Sequence, residues 1–237
     1  MSNDLQKWID VQTGLSKLYI HDFKNPISAI AANISYLEAV LDDAEEDVLG
    51  AVSDSSVALK MLLHMLDNYL NISRLESREQ IEPVPVPLDR FIEEIMAKLK
   101  KMFTTMEPMV VLGAQVPSEM CFWPVTYAKL AVENLILQSM HNTPGGGKVL
   151  IDIRIDSRMV EIRVSDNGVR IDPSIYDQSF SREFQYIAKS REDARYGRAM
   201  AFYAVGLATE YMNGTVAISS ENNLQVFTLR LPIEVPL

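Results

Sequence analysis

Apolar residues recur at Ile20, Phe23, Ile27, Ile30, Ile34, Leu37 and Leu41, in steps of three and four that alternate without a break. A mean period of about 3.5 residues is the seam of a long helix packed against other helices. The spacing predicts one helix from about Leu5 to Leu41, an acidic turn from Asp42 to Asp47, and a second helix from about Val48 to Glu76. The second carries one stripe through Ala58, Leu62, Met65, Tyr69 and Ile72, and another through Leu59, Leu63, Leu66 and Leu70. A lone hairpin cannot bury both stripes. Two hairpins paired as a four-helix bundle can, so a homodimer is expected.

With Ile20 at heptad position a and Phe23 at d, His21 falls at b and Asn25 at f, both away from the seam. Four residues apart, they share one outward face with Lys24 beside them. Pro26 removes a backbone hydrogen bond inside the helix, a loss of about 3 kcal/mol in isolation, and would kink it next to His21. A neutral imidazole is a competent nucleophile near physiological pH, and the adjacent Asp22 carboxylate favours one tautomer and stabilises developing positive charge.

The net charge of −10 and the lack of any basic stripe argue against nucleic acid as a partner. The single Cys121 excludes an internal disulfide framework and suits a reducing compartment. Beside Phe122 and Trp123 it reads as a small core residue. No segment reads as apolar enough to span a bilayer, and the N-terminus lacks a leader pattern, so no membrane partner and a cytoplasmic location are expected.

The second half changes character. The alternate prolines of Glu82-Pro83-Val84-Pro85-Val86-Pro87 favour an extended chain and read as a linker. Helices are predicted from Leu88 to Phe103, Val125 to Met140 and Ala199 to Met212. Strands are predicted at Lys148 to Ile155, Met159 to Val164, Thr215 to Ser219 and Val226 to Leu231. The fold class is therefore α+β: a two-helix hairpin over residues 1–79, a linker over 80–87, and an α/β sandwich over 88–237 with helices on one face of a mixed sheet.

From about Leu15 to Pro232 the chain resembles the catalytic core of bacterial two-component sensor histidine kinases: a dimeric hairpin bearing a phosphoacceptor histidine, then an ATPase domain of the gyrase and chaperone type. His21-Asp22-Phe23-Lys24-Asn25-Pro26 is similar to the family's histidine box, and Asn71-Ile72-Ser73-Arg74-Leu75-Glu76-Ser77 to the end of its second helix. The resemblance implies that His21 Nε2 takes a phosphoryl group, that Asp22 orients or deprotonates the imidazole, and that Asn25 helps position water or an acyl phosphate. It implies docking of response-regulator receiver domains around Ile20, Phe23, Lys24 and Ile27.

In the ATPase-like half, Asn134, Asp166 and Gly168 match nucleotide-binding positions. Gln138 stands where a second asparagine would ligate magnesium, and Arg170 where a second glycine would let backbone approach the nucleotide. Gly197-Arg198-Ala199-Met200-Ala201-Phe202 keeps only the first glycine of the phosphate-cradling turn. These departures read as a decayed ATP site. The expected function is thus a histidine phosphotransferase that relays phosphoryl groups through His21 between receiver aspartates, with no cofactor and no metal site. One alternative is a divergent ATP-dependent histidine autokinase that uses magnesium, ATP and Gln138. Another is a dimeric scaffold that binds a response regulator without turnover.

Overall fold

The computed structural model describes residues 27–28, 30–41, 46–102, 109–143, 147–184 and 196–235. The chain divides into two units with the main boundary between Glu79 and Gln80.

The first unit contains α1 (Ile30–Val40) and α2 (Glu46–Glu76). Glu46 and Asp47 in the first turn of α2 and Arg74 in the last complement the helix dipole. Leu62 and Tyr69 on α2 remain 42% and 43% exposed in the single chain, and Ile30, Tyr36, Leu37 and Val40 of α1 also face solvent. The expectation that no segment could cross a bilayer is corrected by α2. Its most apolar 18 residues reach a mean hydropathy of 1.2, so the helix is long and apolar enough by length and composition. Asp54, Lys60 and Asp67 lie within it, and a charge at a bilayer centre costs about 2.5–3.5 kcal/mol on insertion scales. The same apolar surface suits packing between helices.

The second unit runs β1 (Val84–Pro87), α3 (Leu88–Met102), β2 (Met109–Leu112), β3 (Met120–Trp123), α4 (Val125–Asn142), β4 (Lys148–Asp156), β5 (Met159–Asp166), a 3-10 turn (Pro173–Gln178), α5 (Tyr196–Tyr211), β6 (Thr215–Glu221) and β7 (Leu224–Pro232). Five strands form one sheet in the order β2-β4-β5-β7-β6, in which β2 pairs parallel with β4 and every other pairing is antiparallel.

Strand alternation sorts this sheet into two faces. Val149, Ile151 and Ile153 of β4, Val160, Ile162 and Val164 of β5, and Phe227, Leu229 and Leu231 of β7 are buried under the helices. Between them, Arg154, Glu161 and Arg230 stand in cross-strand register on the other face, with an Arg230–Glu161 ion pair at 2.6 Å. On the helical side, α3 buries Leu88, Phe91, Ile92, Ile95 and Leu99, a stripe at helical spacing. Lys98 to Glu133 at 2.6 Å and Lys129 to Glu94 at 2.7 Å tie α3 to α4, and the Tyr127 and Tyr211 rings meet 4.8 Å apart between α4 and α5. Flanked on both sides and seated on the sheet, α4 is buried nearly all round.

Residues 80–87, expected as a linker, belong to the second unit. The Ile81 N–H donates to the Tyr211 hydroxyl at 2.9 Å, and β1 pairs antiparallel with β3. Pro85 stands opposite Phe122, whose N–H donates to Ile233 O at 2.7 Å and whose carbonyl accepts from Val235 N at 3.0 Å, both away from β1. Pro85 therefore sits at a non-hydrogen-bonded pair, where its missing N–H loses nothing and its nitrogen faces the outer edge. The short strands β2 and β3 were not legible as strands either. Helix α5 starts at Tyr196, three residues before the predicted Ala199.

Candidate functional site

Val160, Ile162, Val164 and Asp166 share the inward face of β5, so the strand delivers a carboxylate to the end of the helix-covered layer. Asp166 is 1% exposed, and its Oδ1 accepts from the Gly168 N–H at 3.0 Å, a local turn that fixes the direction of the carboxylate. Gly168 packs against the end of α4: a Cβ there would run into the carbonyl of Asn142 and the nitrogen of Thr143. Beside it the Val169 N–H donates to Asn142 O at 3.0 Å. Only glycine permits that approach.

Asn134, Gln138 and Asn142 follow one another at four-residue steps along α4 and form a buried amide row that ends at this turn. Asn134 Nδ2 donates to Leu130 O at 2.8 Å, and Gln138 Nε2 donates to Asn142 Oδ1 at 3.2 Å. The Thr143 hydroxyl closes the helix on Ser139 O at 2.8 Å. The sequence-predicted Asp166 and Gly168 thus meet the end of α4, where Asn142 bonds both Gln138 and the turn carrying Gly168, while the sequence-predicted Asn134 lies one helical turn before Gln138. His141 is exposed, with Nδ1 2.6 Å from Leu137 O.

The structure changes the meaning of Arg170. Its Nη2 donates to Asn223 Oδ1 at 2.8 Å, in the hairpin between β6 and β7, so the guanidinium is held on that hairpin. Sequence reading also missed Gln225. It is 1% exposed and stands directly opposite Asp166 in the β5–β7 register. Its Oε1 accepts from the Ile171 N–H at 3.0 Å and its Nε2 donates to Ser219 O at 2.8 Å. A polar residue at an inward position of the otherwise apolar Gln225, Phe227, Leu229, Leu231 series was the available signal. Gly197, Arg198 and Ala199 lie within α5.

A buried carboxylate oriented by one N–H is a directed acceptor, suited to the amino group of a planar base. Among the described residues, no three His, Cys, Asp or Glu side chains gather to hold a metal ion. The side-chain oxygens of the Asn134, Gln138 and Asn142 row are amides, which suit a hard cation that keeps part of its water shell. Cys121 is buried, and its thiol is pushed up to about 12 by desolvation and by the nearby Glu119 carboxylate, which removes it from chemistry. The predicted His21, Asp22 and Asn25, with Ile20, Phe23 and Lys24, lie outside the described residues. Ile27 is described, helical and half-buried.

Residues 126–235 match the family model of histidine kinase-, DNA gyrase B- and HSP90-like ATPases. The chain is 24% identical over 217 residues to the probable sensor histidine kinase TcrY of Mycobacterium tuberculosis, which covers 90% of this chain and 44% of that protein. It is 26% identical over 215 residues to the sensor-like histidine kinase SenX3 of the same organism, covering 90% and 52%. The chain thus spans about half the length of the curated relatives it matches. A crystal structure of full-length ShkA in complex with AMPPNP superimposes with a TM-score of 0.60 at 17% identity, covering 92% of this chain and 45% of that one.

These findings overturn the phosphotransferase expectation: the relatives are named as sensor histidine kinases and the matching family model is one of ATPases. The physical ground of that expectation also weakens, because Arg170 is engaged by Asn223 and Gln138 stays in the amide row. The mixed α/β domain of the second unit carries a match to the histidine kinase-, DNA gyrase B- and HSP90-like ATPase model and shares its fold with solved histidine kinase structures.

Proposed function

We propose that the second unit is a two-component histidine kinase ATPase core and that the chain is part of an ATP-dependent histidine autokinase whose acceptor is His21. The observation that carries the reading is the extent of the match: alignment with sensor histidine kinases covers 90% of the chain, well beyond the ATPase core at 126–235. The residues present fit a nucleotide with its base toward Asp166. That carboxylate, fixed by Gly168, accepts the base amino group. The amide oxygens of Asn134 and Gln138 would hold the magnesium that accompanies the phosphates. The bond from Gln138 Nε2 to Asn142 sets the amide end for end and leaves its oxygen for that use. ATP bound with magnesium supplies the transferable phosphoryl group and neutralises its charge.

His21 Nε2 is the acceptor, Asp22 holds the imidazole in the productive tautomer, and Asn25 helps position water or the acyl phosphate of a receiver partner. Ile20, Phe23, Lys24 and Ile27 form the docking face for a response-regulator receiver. The exposed apolar side chains of α1 and α2 are covered by a second copy in a four-helix bundle. The test is incubation of the chain with magnesium and ATP labelled at the γ-phosphate. Acid-labile label on the wild-type chain and none on His21→Ala is expected. Failure of the wild-type chain to acquire label, with nucleotide bound and the dimer intact, would sink the reading.

A further inference from the structure

We propose that Gln225, together with the Arg170–Asn223 bond, is a positioning device that clamps the loop after Asp166 onto the β6–β7 hairpin and so presents its backbone to the nucleotide base. The inference rests on the reading of Asp166 as the base acceptor.

Four observations converge on it. Asp166 and Gln225 are direct cross-strand partners, so the amide is placed beside the carboxylate by sheet register. The Gln225 side chain spans three elements: Oε1 takes the Ile171 N–H at 3.0 Å and lies 3.4 Å from the Tyr176 hydroxyl, while Nε2 reaches Ser219 O at 2.8 Å. Arg170, one residue before Ile171, reaches Asn223 Oδ1 at 2.8 Å, two residues before Gln225. Gly168, at the other end of the loop, is held against α4. The loop from Gly168 to Ile171 is therefore pinned at both ends, and its cationic residue is drawn onto the hairpin. A buried amide with both ends hydrogen-bonded has a fixed orientation, since either bond broken would leave a desolvated polar group. The arrangement gives Arg170 a use at a position where a residue without a side chain had been expected.

The test uses the full chain, with Gln225→Met to keep volume and remove the amide's three hydrogen bonds. Without nucleotide, the Ile171 amide is expected to exchange with solvent at least about tenfold faster by NMR, while Ile162 and Val164 amides are unchanged. Affinity for magnesium-ADP by calorimetry is expected to weaken about three- to tenfold, with KM for ATP rising by a similar factor and kcat held within about twofold. Arg170→Ala and Asn223→Gly, both on the exposed side of the clamp and the second compatible with the positive φ of 67° at residue 223, should each weaken ADP binding about two- to threefold and fail to add in the double variant. They keep the question open to measurement if Gln225→Met does not fold. Unchanged Ile171 exchange, unchanged ADP affinity, or additive surface variants would overturn the clamp. A fall in kcat equal to the rise in KM would make Gln225 merely structural. If the wild-type chain binds no ADP, the base reading fails, and the exchange measurement alone then shows whether the loop is clamped.

Discussion

Gly168 lies so close to Asn142 that a side chain on it would strike the Asn142 carbonyl, the same oxygen that accepts the Val169 N–H at 3.0 Å. The turn that carries Asp166 is thereby fastened to the end of α4. Because the neighbour is backbone, it cannot move aside cheaply. Gly168→Ala is expected to destabilise the second unit by about 1–3 kcal/mol in a urea titration and to abolish ADP binding. Full retention of both would show that the approach is looser than described.

Asp166→Asn keeps the volume and an acceptor for Gly168 but removes the charge. Affinity for magnesium-ADP should fall at least about tenfold, because a charge-assisted bond is replaced by a neutral one. Calorimetric titration of the variant beside wild type measures this, and equal affinities would move the base elsewhere in the domain.

Glu133 is buried on α4, and half-exposed Lys98 reaches it at 2.6 Å. Removing only the lysine leaves a buried acid without that cation. Lys98→Met should cost about 1–3 kcal/mol, below the about 3–5 kcal/mol of a fully buried pair because Lys98 is half in water. Adding Glu133→Leu should recover part of it. A double variant no better than Lys98→Met would contradict the pairing energetics.

Cys121 should resist iodoacetamide at pH 8 in the folded chain and react promptly once unfolded in guanidinium. Its folded thiol ionises only at about 12, whereas an unfolded thiol ionises near about 8.5. The raised value favours the protonated form in the fold. Its contribution to stability is therefore unaffected below the unfolded value and declines as pH rises from there toward about 12.

Glu221 is held below the usual carboxylate range by hydrogen bonds first from Arg163 and then from Ser219. A depressed folded value means that its stabilisation is present above the unfolded glutamate value and is lost as pH falls through the folded one. Thermal melts from pH 6 to pH 3 should show a shallower acid loss for Glu221→Gln than for wild type. Parallel curves would remove Glu221 from the acid response.

The regular parts of the second unit were readable because their periodicity is long enough to show. Helices α3 and α4 and strands β4 and β5 lie within about two residues of the predicted limits. Strands β1, β2 and β3 have four residues each, too few for alternation to register, and the prolines of β1 made it look like a tether. The site was half legible. Asp166 and Gly168 are local in sequence, but Gln225 joins them only through the β5–β7 pairing. Arg170 was misread because residue identity says how large a side chain is, and not which way the loop sends it. Read as an obstruction to nucleotide, it led to the wrong reaction.

The prolines of β1 also govern what the small sheet can do to its neighbours. A polypeptide joining the outer rim of β1 would meet pyrrolidine rings at Pro85 and Pro87 where it needs donors, so a growing strand ladder ends there. Copies of the chain can therefore meet at high concentration without that rim seeding a fibril. The same two residues that make the segment look unstructured in the sequence act, in the fold, as a terminator of polymerisation.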